Sequence, residues 1–169
     1  MNLYELSEIA DKRFSHGEEI PQNIIEGVKQ IVSNGGFIGM AQINPIAGNI
    51  EYNAKKIAKY IKYSCKIGLD MVVFPELALM GYPIEDTIDR HPIIVEENIK
   101  WLKGLAKITV GTTALVGFVE PRKQDAEGKK YFNSVAILKN GKIAGIVRKS
   151  LLPNYSEFND YRYIEPSPV

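Results

Sequence analysis

The sequence predicts an α/β fold in which helices pack against a layered sheet. Short, nearly continuous apolar runs, typical of strands, alternate with longer stretches whose apolar residues recur at helical spacing. A hairpin ends the pattern, because an Asn-Gly pair at 140–141 separates two further apolar runs. With 169 residues, 45% of them hydrophobic and 24% charged, the chain has the composition of one globular domain.

Residues 1–36 are predicted to be a helical prefix that precedes the main fold at 37–169. Apolar residues between 20 and 32 recur at helical spacing, and Pro21 is placed as a first-turn proline. The polar, glycine-containing segment 33–36 is expected to end this helix. The prefix is acidic overall and the remainder is basic, which also separates the two segments.

The main fold is predicted to open with a strand–helix–strand unit. The apolar runs 37–43 and 71–74 are interpreted as strands buried on both faces. Asn49 is predicted to be the N-cap of the helix between them, and Gly68 the residue that ends it. One apolar face of that helix is predicted to comprise Ile50, Ala54, Ile57, Ala58, Ile61 and Cys65.

The second half of the chain continues the alternation. A helix is predicted over 95–107 and a strand over 114–119, followed by a polar loop at 123–130. Runs 131–138 and 142–147 are predicted to pair as the hairpin. These elements extend one α/β sheet.

Composition and charge exclude several classes of protein. A net charge of +1 argues against nucleic-acid binding, which needs a surplus of basic residues. No apolar run approaches the roughly 18 residues of a membrane span, and the first residues do not resemble a secretory signal. His16 and His91 lack metal-ligand spacing, so no metal site is expected. A single cysteine, Cys65, fits a reducing compartment, and we expect a cytoplasmic protein.

The first candidate for chemistry is Glu76, which follows directly on the strand 71–74. Pro75 precedes it, and the residues after it are apolar. A carboxylate in such surroundings is expected to be poorly hydrated and suited to act as a general base. The alternative is a structural carboxylate that caps the following turn.

The second candidate is Lys149, which ends the last predicted strand. A Leu-Leu-Pro sequence follows at 151–153, so the ammonium is expected at the sheet edge, against apolar groups. A lysine in that position can stabilise a developing oxyanion. The alternative is a solvated lysine at the end of a strand.

Three segments together resemble the motifs of the nitrilase, or carbon–nitrogen hydrolase, superfamily. Segment 74–83, Phe-Pro-Glu-Leu-Ala-Leu-Met-Gly-Tyr-Pro, resembles the family's glutamate motif, and segment 148–163, from Arg-Lys to Arg-Tyr, resembles its lysine motif. Segment 38–53 is similar to the family's first strand and helix. Within the family, the residues of these motifs look most like those of the glutaminase domain of glutamine-dependent NAD synthetases. The resemblance covers about 37–165.

This resemblance implies a fold and a set of roles. The fold is part of an α-β-β-α sandwich: one sheet with helices on one face. The family uses a Glu–Lys–Cys triad, so Glu76 is expected to be the base and Lys149 the cationic stabiliser. Tyr155 matches a tyrosine that contacts glutamine, and Tyr82 is a weaker candidate for the same pocket. The roles agree with acyl-transfer chemistry, which needs a nucleophile, a base and positive charge at the oxyanion.

The chain departs from the family at the nucleophile. The family's cysteine lies well after the lysine, but no cysteine follows Lys149 in these 169 residues, and Cys65 is expected to be a small core residue. We therefore expect a truncated product, a fragment or one part of a split enzyme, inactive alone. ATP and Mg²⁺ would belong to a synthetase domain, and the glutaminase half is expected to need no cofactor.

Two alternatives remain open beside glutamine hydrolysis for NAD synthesis. One is a non-catalytic half-domain whose exposed sheet must be covered by a partner chain or by a second copy in a homo-oligomer. The other is a fragment of a different amidase from the same superfamily.

Overall fold

The computed structural model describes residues 22–32, 36–84, 88, 91, 93–123, 127–155 and 159–168. The predictions for Pro21, for 33–35, for His16 and for part of the loop 123–130 lie outside these residues. In chain order the described elements are α1 (Gln22–Val32), β1 (Ile38–Met40), α2 (Ile50–Ile67), β2 (Met71–Val73), α3 (Ile93–Ile108), β3 (Thr113–Pro121), β4 (Tyr131–Lys139), β5 (Lys142–Arg148) and a 3₁₀ turn (Asp160–Arg162).

Five described strands form one sheet in the order β1-β2-β3-β4-β5. The first three run parallel, and β4 and β5 are antiparallel to their neighbours. The hairpin turn lies where it was predicted, with Asn140 at φ 50° and Gly141 at φ 78°, the left-handed pair that a tight hairpin requires. The predicted α/β fold class, with helices on one face of a sheet, is confirmed.

Helix α2 begins and ends at the predicted residues. The Asn49 side chain accepts a hydrogen bond from the backbone N–H of Tyr52 at 3.2 Å, which satisfies a donor of the first turn. Gly68 adopts φ 82°, and its N–H bonds to the carbonyls of the last turn. The predicted apolar face packs on the sheet, and its fully buried members are Ile50, Ala54, Ile57 and Ile61.

Helix α3 lies beside α2 on the same side of the sheet. It starts two residues before its predicted start and ends one residue after its predicted end. Together α2 and α3 bury what we call the closed face of the sheet, which comprises Val72, Ala114, Val116, Phe118, Ala136 and Leu138.

The opposite face of the sheet carries no helix among the described residues. The apolar side chains of this open face come from the alternate residues of the strands: Ile38, Met40, Met71, Val73, Leu115, Val135, Ile137 and Val147. The prediction that strands 37–43 and 71–74 are buried on both faces is wrong, because their open-face side chains are not buried: Ile38 is 63% and Met40 78% exposed, and Met71 and Val73 are half-buried. The first strand is also shorter than predicted, since β1 spans only Ile38–Met40. An apolar run therefore identified the strand without revealing whether each face was covered.

Helix α1 packs against α2, and its Ile25 is 1% exposed. A helix in the prefix is therefore present, and the division into domains at residue 36 stays a prediction. Of the helices in the part of the chain that the structure describes, none combines the length and apolar character needed to cross a membrane.

Candidate active site

Glu76 lies in a tight turn at the carboxyl end of β2. The strand continues its pairing through Phe74, whose N–H donates to the carbonyl of Leu115 at 3.0 Å. The turn then folds back over β3, and the N–H of Leu79 donates to the carbonyl of Gly117 at 3.0 Å. The position of Glu76 is thus fixed by backbone bonds on both of its sides.

Gly117 is the residue that allows this close approach. A Cβ at position 117 would lie 2.8 Å from the carbonyl oxygen of Pro75 and in collision with the backbone nitrogen of Leu77. Any side chain there would push the turn away from β3. By alternation along β3, Gly117 belongs to the open face, so Glu76 sits at the rim of that face.

The residues that follow Glu76 anchor the turn to the core. Leu77, Ala78, Leu79 and Met80 are each at most 1% exposed. The carbonyl of Leu79 accepts from the buried amide of Asn53 at 3.1 Å. The glutamate is therefore an exposed polar residue at the start of a buried apolar segment.

Lys149 reaches the same point from the end of β5. It follows the last residue of β5, and its backbone N–H donates to the carbonyl of Asn133 on β4 at 2.9 Å. Its Nζ lies 2.7 Å from Oε1 of Glu76 and 3.3 Å from Oδ2 of Asp160. The two predicted site residues, 73 positions apart in the chain, are therefore in direct contact.

The expectation of a poorly hydrated glutamate is wrong for this chain. The side chain of Glu76 is 51% exposed and that of Lys149 is 28% exposed. The apolar residues after Glu76 turn inward, so they bury themselves without covering the carboxylate. Neighbours in sequence do not determine the hydration of a side chain in a turn.

Two carboxylates determine the charge state of Lys149. Burial lowers its pKa, but the hydrogen bond and charge of Glu76 and the charge of Asp160 outweigh that effect, so the pKa lies above its ordinary value. The lysine therefore remains a cation at neutral pH and supplies fixed positive charge to the site.

Sequence reasoning missed two residues of this cluster, Asp160 and Asn133. Asp160, in the 3₁₀ turn, is only 3% exposed and bridges Lys149 to Tyr82, whose hydroxyl donates to its Oδ1 at 3.4 Å. Asn133, also 3% exposed, donates from Nδ2 to Oε1 of Glu76 at 2.6 Å. The available signals were an acidic residue inside the lysine motif and a polar pair, Asn-Ser, inside an apolar strand.

Glu76, Lys149 and Asp160 line a cleft of about 400 Å³ at the rim of the open face. Both tyrosines predicted for the pocket border it: Tyr82 is half-buried, whereas Tyr155 is 68% exposed. The complete lining of the cleft is Pro75, Glu76, Tyr82, Lys149, Pro153, Tyr155 and Asp160.

Cys65 lies far from this cleft. Its Sγ donates to the carbonyl of Val110 at 3.0 Å, and Val110 precedes β3, so the thiol is near the start of that strand. Because β2 and β3 are parallel, this end of the sheet is opposite to the end where Glu76 lies. Burial also raises the pKa of the thiol, which disfavours the nucleophilic thiolate. Cys65 packs against the core, as predicted.

The arrangement supplies two of the elements of acyl transfer. A carboxylate that can accept a proton lies next to a fixed cation that can stabilise an oxyanion. In the described part of the chain, no group of three or more acidic, histidine or cysteine side chains is placed to hold a metal ion.

Comparison with known sequences agrees with the motifs. The sequence profile of the carbon–nitrogen hydrolase family matches residues 37–168. The glutamine-dependent NAD(+) synthetase of Thermotoga maritima is 40% identical over 131 residues, which are 76% of this chain and 22% of that protein. The synthetase of the same name from Acinetobacter baylyi is 36% identical over 131 residues, covering 76% and 23%. The chain thus spans less than a quarter of the length of these relatives.

Comparison with solved structures gives the same result for the fold. The glutamine-dependent NAD+ synthetase of Acinetobacter baumannii superposes with a TM-score of 0.69 at 29% identity, covering 78% of this chain and 24% of that one. An amidase from Nesterenkonia sp. superposes with a TM-score of 0.62 at 16% identity, covering 78% and 48%. The second likeness concerns the fold alone.

Proposed function

The chain belongs to the carbon–nitrogen hydrolase family, and on that premise we propose that it supplies the base and the lysine for hydrolysis of the glutamine side-chain amide. In a complete enzyme, the released ammonia would serve NAD synthesis, as the names of the relatives suggest. One observation carries the proposal: Glu76 and Lys149 lie 2.7 Å apart in a cleft at the carboxyl end of β2.

In the proposed reaction a cysteine thiol from outside these 169 residues attacks the amide carbon. Glu76 takes the thiol proton as the C–S bond forms, and Lys149 stabilises the resulting oxyanion. The intermediate then collapses, the C–N bond breaks, and Glu76 returns the proton to the leaving nitrogen, so that ammonia departs. Water hydrolyses the thioester, again with Glu76 as the base, and releases glutamate and the free thiol.

The nucleophile gives the first test. Purified chain is incubated with glutamine and released ammonia is measured, with Cys65→Ser as the matched control. We expect no turnover from either protein, because Cys65 lies at the wrong end of the sheet. Robust release that disappears in Cys65→Ser would contradict this assignment.

A chimera tests the competence of the site. Residues 37–168 replace the matching segment of the Thermotoga maritima synthetase, and glutamine-dependent ammonia release is measured. We expect activity in the chimera and a loss of at least about 10²-fold in Glu76→Gln and in Lys149→Met. Butyramide and asparagine, offered in place of glutamine, distinguish a glutaminase from a different amidase of the family. Full activity in both variants would reject the proposed roles.

We also propose that the glutaminase step needs no cofactor, because Lys149 provides the cation that stabilises the oxyanion. ATP and Mg²⁺ are assigned to the synthetase half of a complete enzyme. Ammonia release by the chimera should therefore be unchanged by EDTA. The proposed compartment is the cytoplasm, which fits the single cysteine and is checked by fractionation of expressing cells.

The open face favours a second candidate function, a half-domain that needs a partner. It carries apolar side chains from all five strands, and Met40, Ile38 and Val147 are 60% exposed or more. We propose that its occupant is a second sheet with an apolar face, supplied by another polypeptide segment, because sheets pack face to face through such surfaces. Light scattering after size exclusion tests this: a monodisperse, stably folded monomer would count against the need for a partner.

A further inference from the structure

Asn133 occupies an unusual position for an amide, at the buried end of β4 beside the candidate site. It is 3% exposed and, by alternation with Val135 and Ile137, its side chain belongs to the open face. Its side-chain amide and its backbone carbonyl each form a hydrogen bond with one of the two site residues. The side-chain Nδ2 donates to Glu76 at 2.6 Å, and the backbone carbonyl accepts from the N–H of Lys149 at 2.9 Å.

The two donors to Glu76 meet at one oxygen. Nδ2 of Asn133 and Nζ of Lys149 lie 2.6 and 2.7 Å from Oε1. Within the described part of the chain, Oε2 has no hydrogen-bond partner. Both donors therefore act on one carboxylate oxygen of a residue that lines the cleft.

We infer that Asn133 is the positioning residue of the pair: it fixes the Glu76 carboxylate so that Oε1 faces Lys149 and Oε2 is the oxygen that accepts the proton. The catalytic meaning of this role rests on the proposed function. The geometric part, that Glu76 and Lys149 interact because Asn133 holds them, can be tested without turnover.

Lys149 alone is a weak anchor for Glu76. Its ammonium is shared with Asp160, and the Glu76 side chain is 51% exposed, so a single contact competes with water and with other rotamers. The amide of Asn133 is buried and has almost no access to water, so its Nδ2 would be left without an acceptor if Glu76 moved away. An unsatisfied buried donor is costly, which favours the contact. The asparagine therefore holds the carboxylate more firmly than the lysine does.

The test is a double-mutant cycle between Glu76→Gln and Lys149→Met, measured by urea unfolding at pH 7 in three backgrounds. The backgrounds are the natural chain, Asn133→Leu and the control Asn98→Leu. Asn98 is a matched control, because it is 0% exposed and also donates one hydrogen bond from Nδ2, to the carbonyl of Val119 at 2.8 Å. We expect the coupling to fall by at least about half in Asn133→Leu and to persist in Asn98→Leu.

Unchanged coupling in Asn133→Leu would overturn the inference, and so would an equal loss in both backgrounds, which would indicate general loosening. If Asn133→Leu does not fold, Asn133→Ser replaces it and the titration of Lys149 is followed by ¹³C NMR of its Cε. The midpoint should then fall by roughly half a pH unit or more, because the carboxylate that holds it high is released. An unmoved midpoint rejects the role. Since neither measurement involves glutamine, failure of the proposed glutaminase function would leave this result intact.

Discussion

The closed and open faces of the sheet are built from alternating residues of the same strands. Both carry apolar side chains, but they differ in how far those side chains are exposed to solvent. On the closed face, Val116 and Leu138 are 0% exposed beneath α2 and α3. On the open face, Ile38 and Val147 are 63% and 60% exposed, although they are equally apolar. The candidate site lies at the rim of the open face. The difference shows that the closed face stabilises the fold, whereas the open face leaves apolar side chains available for contact with another surface.

The largest expected effect comes from breaking the closed face. Leu138→Ala should lower the free energy of unfolding by about 2–5 kcal/mol, because it removes a fully buried side chain and leaves a cavity. Ile38→Ala removes the same number of carbon atoms on the open face and should change the free energy of unfolding by no more than about 0.5 kcal/mol. Urea unfolding of the two variants measures the contrast. Equal losses would mean that the open face is covered in solution.

The next effect concerns the turn that holds Glu76 at the rim of the open face. Gly117→Ala should cost about 1–3 kcal/mol, because its Cβ would collide with the backbone of Pro75 and Leu77. Gly104→Ala, on the surface of α3 with no atom within 4 Å of the added Cβ, should instead stabilise by about 0.4–1 kcal/mol. Thermal unfolding compares the two. A neutral Gly117→Ala would mean that the turn can lift off β3 without cost.

A smaller effect is expected from the ion pair between Glu120 and Arg148 on the closed-face side. Glu120 accepts two hydrogen bonds from the guanidinium, at 2.6 and 2.8 Å, and one from Ser134 at 2.7 Å. Burial raises the pKa of Glu120, but the hydrogen bonds from Arg148 and Ser134 and the charge of Arg148 outweigh it, so the pKa lies below its ordinary value.

The sign of the pH dependence follows from that direction. The contribution of Glu120 is complete above the usual glutamate pKa of about 4.3 and is lost as pH falls through the lower folded value. Glu120→Gln should therefore cost on the order of 1 kcal/mol at pH 7 and flatten the acid limb of stability. Unfolding between pH 3 and 7 measures it. Glu51→Gln, which removes an exposed pair with Lys55, is the control and should change nothing measurable.

The smallest effect on stability should come from Val147→Lys on the open face. The folding free energy should change by no more than about 0.5 kcal/mol, because the side chain is already 60% exposed. Association should change much more, since a charge on the open face opposes contact with another apolar sheet. Sedimentation at several concentrations checks this. If the natural chain associates and the Val147→Lys variant associates equally well, the open face is not the interface.

Much of the fold was predictable because it depends on local chemistry. Asn49 and Gly68 bound α2 through capping bonds that any sequence with those residues can make. The Asn-Gly turn at 140–141 fixed the hairpin for the same reason. Glu76 and Lys149 could be named because each follows directly on a strand, within a motif.

Other features depended on atoms that are distant in the chain. Asn133 and Asp160 join the site because β4 and the 3₁₀ turn bring them to Glu76 and Lys149, and nothing in their own segments requires this. The exposure of the Glu76 carboxylate likewise follows from how the turn packs on Gly117. These features could not be predicted from spacing alone.

By itself, the sequence determined which segments become helices and strands, where α2 begins and ends, and which two charged residues are candidates for the chemistry, since caps, turns and periodicity act over a few residues. Only the tertiary structure decided which apolar residues are covered and which side chains surround the ion pair. Both depend on packing between elements far apart in the chain, where an apolar residue is buried only if another element lies over it.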